Sequence, residues 1–319
     1  MDKTVSPPAP AVSVENLVKR YGSFVAVDHL SLSIRPGEVF GLLGPNGSGK
    51  TTTIDCILQL LTYDKGQIDL FGQPMAPSRY DLKRRVGVVP QNIAVFDELS
   101  VRENIDFFCG LYVADRTERA RCVDDAVRFC GLEEFVAWRP HKLSGGLLRR
   151  LNIACGIAHR PDLAFFDEPT VAVDAQSRAQ ILSGIQSMNK AGTTVVYTSH
   201  YMEEVEQICS RVAILDHGRI IAHGTVDELK AQVKIGETIS VELPDLPSGL
   251  LERVEALPQC RKASYTGGTL QVSCANGPHN LLDVLGAVRD CHGTPGRVWS
   301  EPPTLNDVFL ELTGRKLRD

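Results

Sequence analysis

A glycine-rich segment constrains the fold of this chain more than any other feature. It fits the pattern G-x-x-x-x-G-K-[ST] and consists of Gly44, Pro45, Asn46, Gly47, Ser48, Gly49, Lys50 and Thr51. The apolar run 38–43 precedes it and the helix-compatible run 52–61 follows it, so the order is strand, loop and helix. Glycines let backbone N–H groups approach a polyphosphate, and the helix directs its positive dipole end toward the same ligand. The segment therefore predicts a nucleoside-triphosphate site in an α/β fold.

Two acidic residues at the end of a buried apolar run supply the chemistry that such a loop needs. The run 163–166 reads as a strand, and Asp167 and Glu168 follow it directly. Ligands of open α/β sheets lie at the carboxyl ends of the strands, so both carboxylates are expected beside the glycine-rich loop. Lys50 is expected on the β- and γ-phosphates, Thr51 and Asp167 at Mg²⁺, and Glu168 beside an attacking water that it orients and polarises.

Composition and charge narrow the class of protein. The chain has 319 residues, of which 43% are hydrophobic and 23% charged, as in globular proteins, and its length favours two domains. A formal charge of −5 gives no sign of the basic face that nucleic-acid binding requires, so no nucleic-acid partner is expected. The pair Arg149-Arg150 is expected to be solvated, as charges on helices and loops usually are.

Cysteine spacing and hydropathy argue against further classes. Nine cysteines are scattered without C-x-x-C spacing, which argues against a disulfide framework and against a zinc site. No apolar run approaches the roughly 18 residues of a spanning helix, and the N-terminus lacks the apolar core of a signal peptide. The chain itself is therefore not expected to cross a membrane, and a reducing compartment is expected.

The pattern of apolar residues predicts a tail followed by a nucleotide-binding domain. Residues 1–11 are rich in proline and are expected to form a mobile tail. Residues 12–231 begin with alternating strands of an antiparallel layer, and compact apolar runs separated by helices then indicate a parallel sheet. A helical insert at about 94–138 interrupts this alternation, and Ser100 has the capping-box spacing that starts a helix within it.

Residues 232–319 have a different pattern and are expected to form a second, small domain. A strand at 235–243 is followed by a helix, two strands joined at Gly267-Gly268, a helix and a strand. This βαββαβ order is the one found in small ferredoxin-like domains. A closing helix at 304–312 has apolar residues at positions i, i+3, i+4 and i+7. The predicted fold class is α/β with an antiparallel layer, a mixed or parallel sheet and a helical insert, followed by a small α+β domain.

A second glycine pair precedes another predicted helix. Ser144 has the position of an N-cap before the helix 147–158, and Gly145 and Gly146 form the turn between them. Free N–H groups and the positive dipole end of a helix together make an anion site. This segment is therefore a second candidate for contact with phosphate.

The segment Leu143-Ser144-Gly145-Gly146-Leu147 resembles the LSGGQ signature of ATP-binding cassette (ABC) ATPases, and it stands between a P-loop and an Asp-Glu strand as in that family. The resemblance covers about residues 12–230 and implies ATP hydrolysis with Mg²⁺. The implied nucleotide contacts are Tyr21 on adenine, the P-loop with Thr52, Ser144, Gly145, Gly146, and Asp174 of the D-loop. The implied catalytic residues are Glu168, His200 at the γ-phosphate, and Gln91. The implied metal ligands are Thr51, Gln91 and Asp167.

The same resemblance implies how the chain works with partners. Its signature would face the P-loop of a second subunit, so that two ATP molecules lie between the chains of a homodimer or a heterodimer. The helical insert, linked to the nucleotide by Gln91, would pass closure around ATP to a separate transmembrane permease. The chain would then be peripheral, at the cytoplasmic face of the membrane. The segment 304–315 resembles the tail of ABC ATPases that serve drug, antibiotic and polysaccharide exporters, which implies export.

Two departures from the family pattern leave alternatives open. Leu147 stands where the signature usually has glutamine, and Val171-Ala172-Val173 followed by Ala175 replaces the commoner D-loop pattern. The main alternative is therefore an ATP-gated regulatory or assembly protein with weak hydrolysis. Another is a soluble ABC protein that acts on ribosomes or DNA, although such proteins usually carry two cassettes or a long coiled coil. The domain after residue 232 has no catalytic constellation and is expected to regulate or stabilise assembly.

Overall fold

The computed structural model describes residues 8–233, 236–275 and 277–314. The described residues up to Thr225 form one compact unit, and those from Val226 onward form another. The nine cysteines are free thiols. Within the described ranges, no helix combines the length and the apolar character needed to cross a bilayer.

The secondary structure alternates between strands and helices through most of the chain. The strands are β1 (Val12–Tyr21), β2 (Phe24–Ile34), β3 (Val39–Leu43), β4 (Lys65–Leu70), β5 (Gln73–Pro74), β6 (Val86–Val89), β7 (Leu163–Asp167), β8 (Thr194–Ser199), β9 (Arg211–Asp216), β10 (Arg219–Thr225), β11 (Glu237–Glu242), β12 (Cys260–Thr266), β13 (Thr269–Cys274) and β14 (Val298–Glu301). The α-helices are α1 (Lys50–Ile57), α2 (Tyr80–Lys83), α3 (Val101–Gly110), α4 (Arg116–Phe129), α5 (Gly145–Ile157), α6 (Ala175–Lys190), α7 (Met202–Ile208), α8 (Val226–Lys230), α9 (Leu250–Glu255), α10 (Asn280–Asp290) and α11 (Leu305–Thr313). Short 3-10 turns at Glu133–Phe135 and Pro140–Lys142 precede α5.

The first sheet is antiparallel and has the order β2-β1-β4-β5. Its strands alternate apolar and polar residues because one face packs on the core and the other is open. Ala11, which the expected tail includes, is buried directly before the inner strand β1. Its N–H donates to Ile34 O at 2.8 Å, and its carbonyl accepts from Phe71 N–H at 3.0 Å. Residues 1–7 of the expected tail lie outside the described residues.

The second sheet has the order β10-β9-β3-β8-β7-β6, and its strands are parallel except for the edge strand β10. Every residue of β3 and β7 is buried, which explains why both read as continuous apolar runs. One core joins the two sheets and α1, and its members include Val14, Ile34, Phe40, Ile54 and Phe165. This core fixes α1, and with it the start of the helix, against the parallel strands.

The helical insert begins where expected. Ser100 caps α3 with a capping box: its hydroxyl accepts from Glu103 N–H, and the Glu103 carboxylate accepts from Ser100 N–H at 2.7 Å. α3 and α4 pack on each other and on α5, the helix that follows the signature segment. The insert is therefore joined to the sheet through α5.

The second unit has an antiparallel sheet of order β12-β13-β11-β14. In each βαβ half, one strand of the other half lies between the two strands, which is the split βαβ arrangement of ferredoxin-like folds. Its core joins one face of the sheet to α9 and α10 and includes Ile239, Val241, Leu270, Val254 and Val284. The predicted α/β fold class, with an antiparallel layer, a parallel sheet, a helical insert and a small α+β unit, is thus confirmed. Residue 235 of the first predicted strand lies outside the described residues.

Candidate nucleotide-binding site

The predicted site lies where four parallel strands end side by side. The register pairs Leu43 of β3 with Ser199 of β8, Asp167 of β7 with Thr198 of β8, and Val89 of β6 with Phe166 of β7. The P-loop follows β3, Glu168 follows β7, His200 follows β8, and Gln91 follows β6 after one proline. Carboxyl ends of adjacent parallel strands share one edge of the sheet, so residues distant in the chain meet there.

The P-loop has the backbone that a phosphate cradle requires. A side chain at Gly44 would meet the Leu215 carbonyl and, at 2.6 Å, the Ser48 hydroxyl. Gly49, just before α1, has φ 104°, a conformation that favours glycine. The buried Ser48 hydroxyl has no hydrogen-bond partner within the described part of the chain. An orphaned buried hydroxyl, a glycine loop and a helix N-terminus together fit an anionic ligand such as phosphate.

Lys50 is buried in the same loop and held by three oxygen atoms. Its Nζ donates to the carbonyls of Gly44 at 2.8 Å and Pro45 at 3.2 Å. Its third partner is Glu168 Oε1, also at 3.2 Å, and both side chains of this ion pair are almost fully buried. The only charge that Lys50 meets in this arrangement, among the described residues, is the carboxylate that follows β7.

Glu168 is the point at which the predicted catalytic residues converge. Its Oε2 accepts from Gln91 Nε2 at 3.0 Å, and its Oε1 lies 3.5 Å from His200 Nδ1. Its backbone has φ 47°, a left-handed conformation that costs free energy for a residue with a Cβ. Such strain at a strand end is characteristic of functional sites, where it re-aims a side chain. Here it accompanies a carboxylate that contacts Lys50, Gln91 and His200.

Asp167 contacts the first turn of α1. Its Oδ2 accepts from Thr51 Oγ1 at 2.8 Å, and its Oδ1 accepts from Thr198 Oγ1 at 2.6 Å. A hydroxyl, a carboxylate and the amide of Gln91 are hard oxygen donors, which is the chemistry Mg²⁺ prefers. The pKa of Asp55 on α1 is raised, mainly by the burial of Asp55 and secondarily by the negative charge of Asp167.

A pocket of about 420 Å³ opens over these groups. Its lining residues are Tyr21, Phe24, Ala26, Asn46, Gly47, Gly49, Lys50, Thr51, Thr52, Gln91 and Glu168. Tyr21 and Phe24 are exposed aromatic rings that flank the turn between β1 and β2, and Lys19 Nζ lies 4.9 Å from the centre of the Tyr21 ring. An apolar end with aromatic faces and a charged end with Lys50 suit a ligand that has a flat base and a polyphosphate.

The signature residues form a separate cluster and are not among the described residues that line this pocket. Ser144 caps α5, and its hydroxyl accepts from Leu147 N–H at 3.3 Å. Asp174 caps α6 by accepting from Ser177 N–H at 2.9 Å, and this hydrogen bond is the main cause of its lowered pKa. A side chain at Gly146 would lie 2.8 Å from Asp174 Oδ2, so the two caps touch. Ser144, Gly145 and Asp174 are exposed.

The expectation that Arg149 is solvated is wrong. Its side chain is only 7% exposed, and Nη1 donates to the Gln91 carbonyl at 2.7 Å. Asn152, one turn later on α5, donates to the Pro90 carbonyl at 3.2 Å and accepts from Ala94 N–H at 2.9 Å. Burial lowers the pKa of Arg149. The apolar Ile153, four residues after Arg149, was a signal in the sequence that Arg149 lies on the inner face of α5.

Thr198 and Glu204 also lie near the site, although neither belongs to a sequence motif that would have predicted this. Thr198 accepts from Glu168 N–H at 2.9 Å and donates to Asp167, so it contacts both acidic residues. Glu204, buried on α7, accepts from the hydroxyls of Thr170 and Tyr197, both at 2.7 Å. Burial, with the charge of Glu204, raises the pKa of Tyr197 well above its ordinary range. These contacts anchor the segments on either side of the two carboxylates.

The sequence of the chain is similar to those of known proteins. The family model described as ABC transporter matches residues 27–171. The linearmycin resistance ATP-binding protein LnrL of Bacillus subtilis (strain 168) is 35% identical over 310 residues, which cover 97% of this chain and 100% of that protein. The Nod factor export ATP-binding protein I of Ralstonia nicotianae is 36% identical over 311 residues, covering 97% of this chain and 96% of that protein.

A solved structure shares the fold of the chain. The dimeric ATP-binding cassette MJ0796, in a post-hydrolysis state bound to ADP and Pi, aligns with a TM-score of 0.62 and 25% identity. The alignment covers 67% of this chain and 98% of that one. This chain therefore belongs to the ABC transporter family. Within the family it is an ATP-binding subunit, an ATPase.

Proposed function

We propose that the chain hydrolyses ATP at the end of its parallel sheet and thereby drives a separate membrane permease that exports its substrate. The observation that carries the proposal is the convergence of Lys50, Gln91 and His200 on the carboxylate of Glu168. A carboxylate so placed, beside a phosphate cradle, can orient and polarise a water for attack on the γ-phosphate. In this proposal Lys50 binds the β- and γ-phosphates, and His200 contacts the γ-phosphate.

Nucleotide binding is assigned to the pocket over the P-loop. Tyr21 stacks on adenine, and the backbone N–H groups of the P-loop, with Thr52 behind it, surround the triphosphate. The orphaned Ser48 hydroxyl supports an oxygen-rich ligand at this place. Thr51, Asp167 and Gln91 would hold Mg²⁺, which when bound neutralises charge on the phosphate oxygens.

Dimerisation follows from the separation of the two phosphate-binding elements. Ser144, Gly145, Gly146 and Asp174 lie at two touching helix N-termini outside the P-loop pocket, and all of them except the buried Gly146 are exposed. In a head-to-tail pair of chains, this cluster would meet the ATP bound by the partner's P-loop. ATP would then favour the closed pair, because only closure brings both elements onto one triphosphate. The relative MJ0796 was solved as a dimer, which supports the same arrangement here.

The helical insert provides a surface for the permease. Phe96 and Phe107 are 43% and 45% exposed, and their ring centres are 4.9 Å apart. Exposed clustered aromatic rings are typical of interaction sites. Asn104 accepts from Phe96 N–H at 2.8 Å, and Arg149 donates to the Gln91 carbonyl, so both ends of segment 91–96 are anchored to helices. A shift of Gln91 on ATP binding would thus reach the aromatic surface.

The direction of transport and the location are inferred from relatives. One relative is named for linearmycin resistance and another for Nod factor export. Export by this chain's permease, with the chain peripheral at the cytoplasmic face of the membrane, fits both names. The second unit has its own core, and we assign it to stabilising the assembly of the two chains with the permease. Val241→Asp, which puts a charge into that core, should reduce permease pairing while ATP binding to the P-loop persists.

A membrane protein encoded beside this chain, reconstituted with it in vesicles, provides the direct test. Phosphate release from Mg²⁺-ATP should exceed that of the Glu168→Gln variant and should rise when the permease is present. Equal release by wild type and Glu168→Gln would refute the assigned site. Release that is equally slow with and without every candidate permease, together with tight ATP binding, would favour the alternative of an ATP-gated regulatory or assembly protein. That alternative is suggested by the two departures from the family pattern, Leu147 in the signature and Ala172 in the D-loop. Ala172 has φ 58°, a conformation that favours glycine over alanine.

A further inference from the structure

Thr198 lies between the two acidic residues of the site, although no motif includes it. It belongs to β8, and the parallel register places it beside Asp167, the last residue of β7. Its side chain is fully buried. The hydroxyl is therefore shielded from water and must find its partners within the protein.

The partners of this hydroxyl are both residues of the acidic pair. Thr198 Oγ1 donates to Asp167 Oδ1 at 2.6 Å and accepts from Glu168 N–H at 2.9 Å. A second acceptor, the Phe166 carbonyl, lies at 3.5 Å and is too distant to compete for the proton. Since Asp167 Oδ2 accepts from Thr51, the carboxylate is held at one oxygen by α1 and at the other by β8.

The contact with Glu168 acts on a strained backbone. Glu168 has φ 47°, and this left-handed turn accompanies its contacts with Lys50 and Gln91. Strained conformations persist only where the surroundings over-determine them. The hydrogen bond to Thr198 provides a partner for the Glu168 N–H and so helps to hold the backbone in this turn.

We propose that Thr198 is a positioning residue for ATP hydrolysis: its hydroxyl fixes the metal-binding carboxylate of Asp167 and the backbone turn that aims Glu168. This inference rests on the roles proposed above for those two residues. A group that orients a metal ligand usually affects metal affinity strongly when removed, because the ligand loses its fixed direction. A group that fixes a catalytic carboxylate affects turnover, because small misplacements are costly.

The same strand offers a matched control. Thr194, four positions earlier on β8, is also buried, and its hydroxyl accepts from Gly37 N–H at 2.9 Å. Both residues pair with β7, Thr194 at Leu163 and Thr198 at Asp167. Thr194→Val and Thr198→Val thus remove a buried hydroxyl from the same strand, but only Thr198 contacts the acidic pair.

The test compares Thr198→Val, Thr198→Ser and Thr194→Val in the full chain. Turnover of ATP by Thr198→Val should fall by about tenfold or more, whereas Thr198→Ser should stay within about threefold of wild type because it keeps the hydroxyl. In a Glu168→Gln background, the Mg²⁺ concentration giving half of the ATP-induced rise in Tm should increase by about tenfold for Thr198→Val. Thr194→Val should lower Tm without changing turnover or that Mg²⁺ midpoint. If Thr198→Val does not fold, Thr198→Ala takes its place with the same expectations.

Two results would overturn the proposal. One is a Thr198→Val variant that keeps wild-type turnover or the wild-type Mg²⁺ midpoint. The other is a Thr198→Ser variant as impaired as Thr198→Val, which would assign the effect to the methyl group. Failure of the proposed function is recognised separately, as wild-type hydrolysis that Glu168→Gln does not reduce. In that case the Mg²⁺ midpoint of the ATP-induced Tm rise still decides for or against Thr198.

Discussion

Lys50 and Glu168 form an ion pair at the floor of the P-loop pocket, with 3.2 Å between Nζ and Oε1 and both side chains almost fully buried. The two residues are 118 positions apart in the chain, and they meet because Lys50 follows β3 and Glu168 follows β7 at the same edge of the parallel sheet. Breaking a buried pair by removing one partner leaves an uncompensated charge, and that charge seeks another partner. A triphosphate would offer Lys50 such a partner, so we expect ATP binding to compete with this ion pair.

Glu168→Gln should separate binding from hydrolysis. The amide keeps the shape of the side chain but cannot act as a base, so turnover should fall by about 100-fold or more. ATP should bind more tightly, because Lys50 no longer shares its charge with a carboxylate and the γ-phosphate no longer meets a like charge. Phosphate release, ATP titration and the mass of the chain with ATP measure the three effects, and the variant should be a dimer when ATP is bound.

Glu203→Gln on α7 is the matched control for this charge change. Glu203 is exposed and shares its helix with Glu204, which is buried. Its replacement should leave turnover, ATP affinity and mass unchanged. A loss of turnover equal to that of Glu168→Gln would mean that net charge, rather than the position of Glu168, governs hydrolysis.

Gly44→Ala should damage the P-loop. The added methyl group would meet the Leu215 carbonyl and the Ser48 hydroxyl, so the loop must move, at a cost of about 1–3 kcal/mol in the free energy of unfolding. The ATP-induced rise in Tm should shrink as well. Gly286→Ala on α10 is the control, because nothing lies within 4 Å of its added methyl group, and it should stabilise the helix. Full ATP response in Gly44→Ala would show that the cradle does not contact the nucleotide.

Arg149→Met should weaken the link between α5 and segment 90–91. The substitution removes the donor to the Gln91 carbonyl and leaves a buried acceptor unsatisfied, which costs about 1–3 kcal/mol. Turnover should fall more than ATP affinity, because Gln91 contacts Glu168 rather than the cradle. Arg150→Met provides the comparison: it removes donors to the carbonyls of Cys130 and Gly131, so it should lower Tm and spare turnover. Equal turnover in both variants would contradict the assignment.

Ala172→Gly should relax the D-loop. Ala172 has φ 58°, and this left-handed conformation is less favourable by roughly 1–2 kcal/mol for a residue with a Cβ than for glycine. The variant should therefore be more stable, as measured by chemical denaturation. Ala179→Gly, in the exposed middle of α6, should be less stable by about 1 kcal/mol because glycine is a poor helix former. The same sign of change in both variants would exclude strain at Ala172.

Stability should decrease as pH falls below the ordinary pKa of histidine. Burial lowers the pKa of His159 from its ordinary 6.5, and the ring stacks on Tyr112 with centres 4.1 Å apart. The unfolded chain takes up a proton near pH 6.5, whereas the folded chain does so only at lower pH. The unfolded state thus binds more protons below that pH, and the free energy of unfolding decreases with falling pH.

His159→Phe isolates this contribution, because the ring can still stack on Tyr112. Chemical denaturation from about pH 7.5 to about pH 5.5 should show a shallower loss of stability in the variant than in wild type. Parallel slopes for wild type and His159→Phe would show that His159 titrates alike in both states.

Local patterns in the sequence were enough to predict the main helices and strands and the order of the motifs along the chain. The glycine spacing at Gly44 to Thr51, the apolar run before Asp167 and the capping pattern at Ser100 each depend on neighbours within a few residues. Such patterns reflect short-range geometry, which the chain expresses wherever the segment lies. The fold class and the ATP-binding family could therefore be predicted before any coordinates.

Only the tertiary structure decided which distant groups meet. Arg149 looked like a surface charge but is buried against Gln91, because α5 packs its inner face on the segment after β6. Thr198 has no motif, yet strand register puts its hydroxyl between Asp167 and the Glu168 backbone. These contacts depend on strand order and helix packing, which arise from long-range burial rather than from local spacing. The sequence by itself determined the chemistry available to this protein, and the parallel sheet determined how that chemistry is aligned.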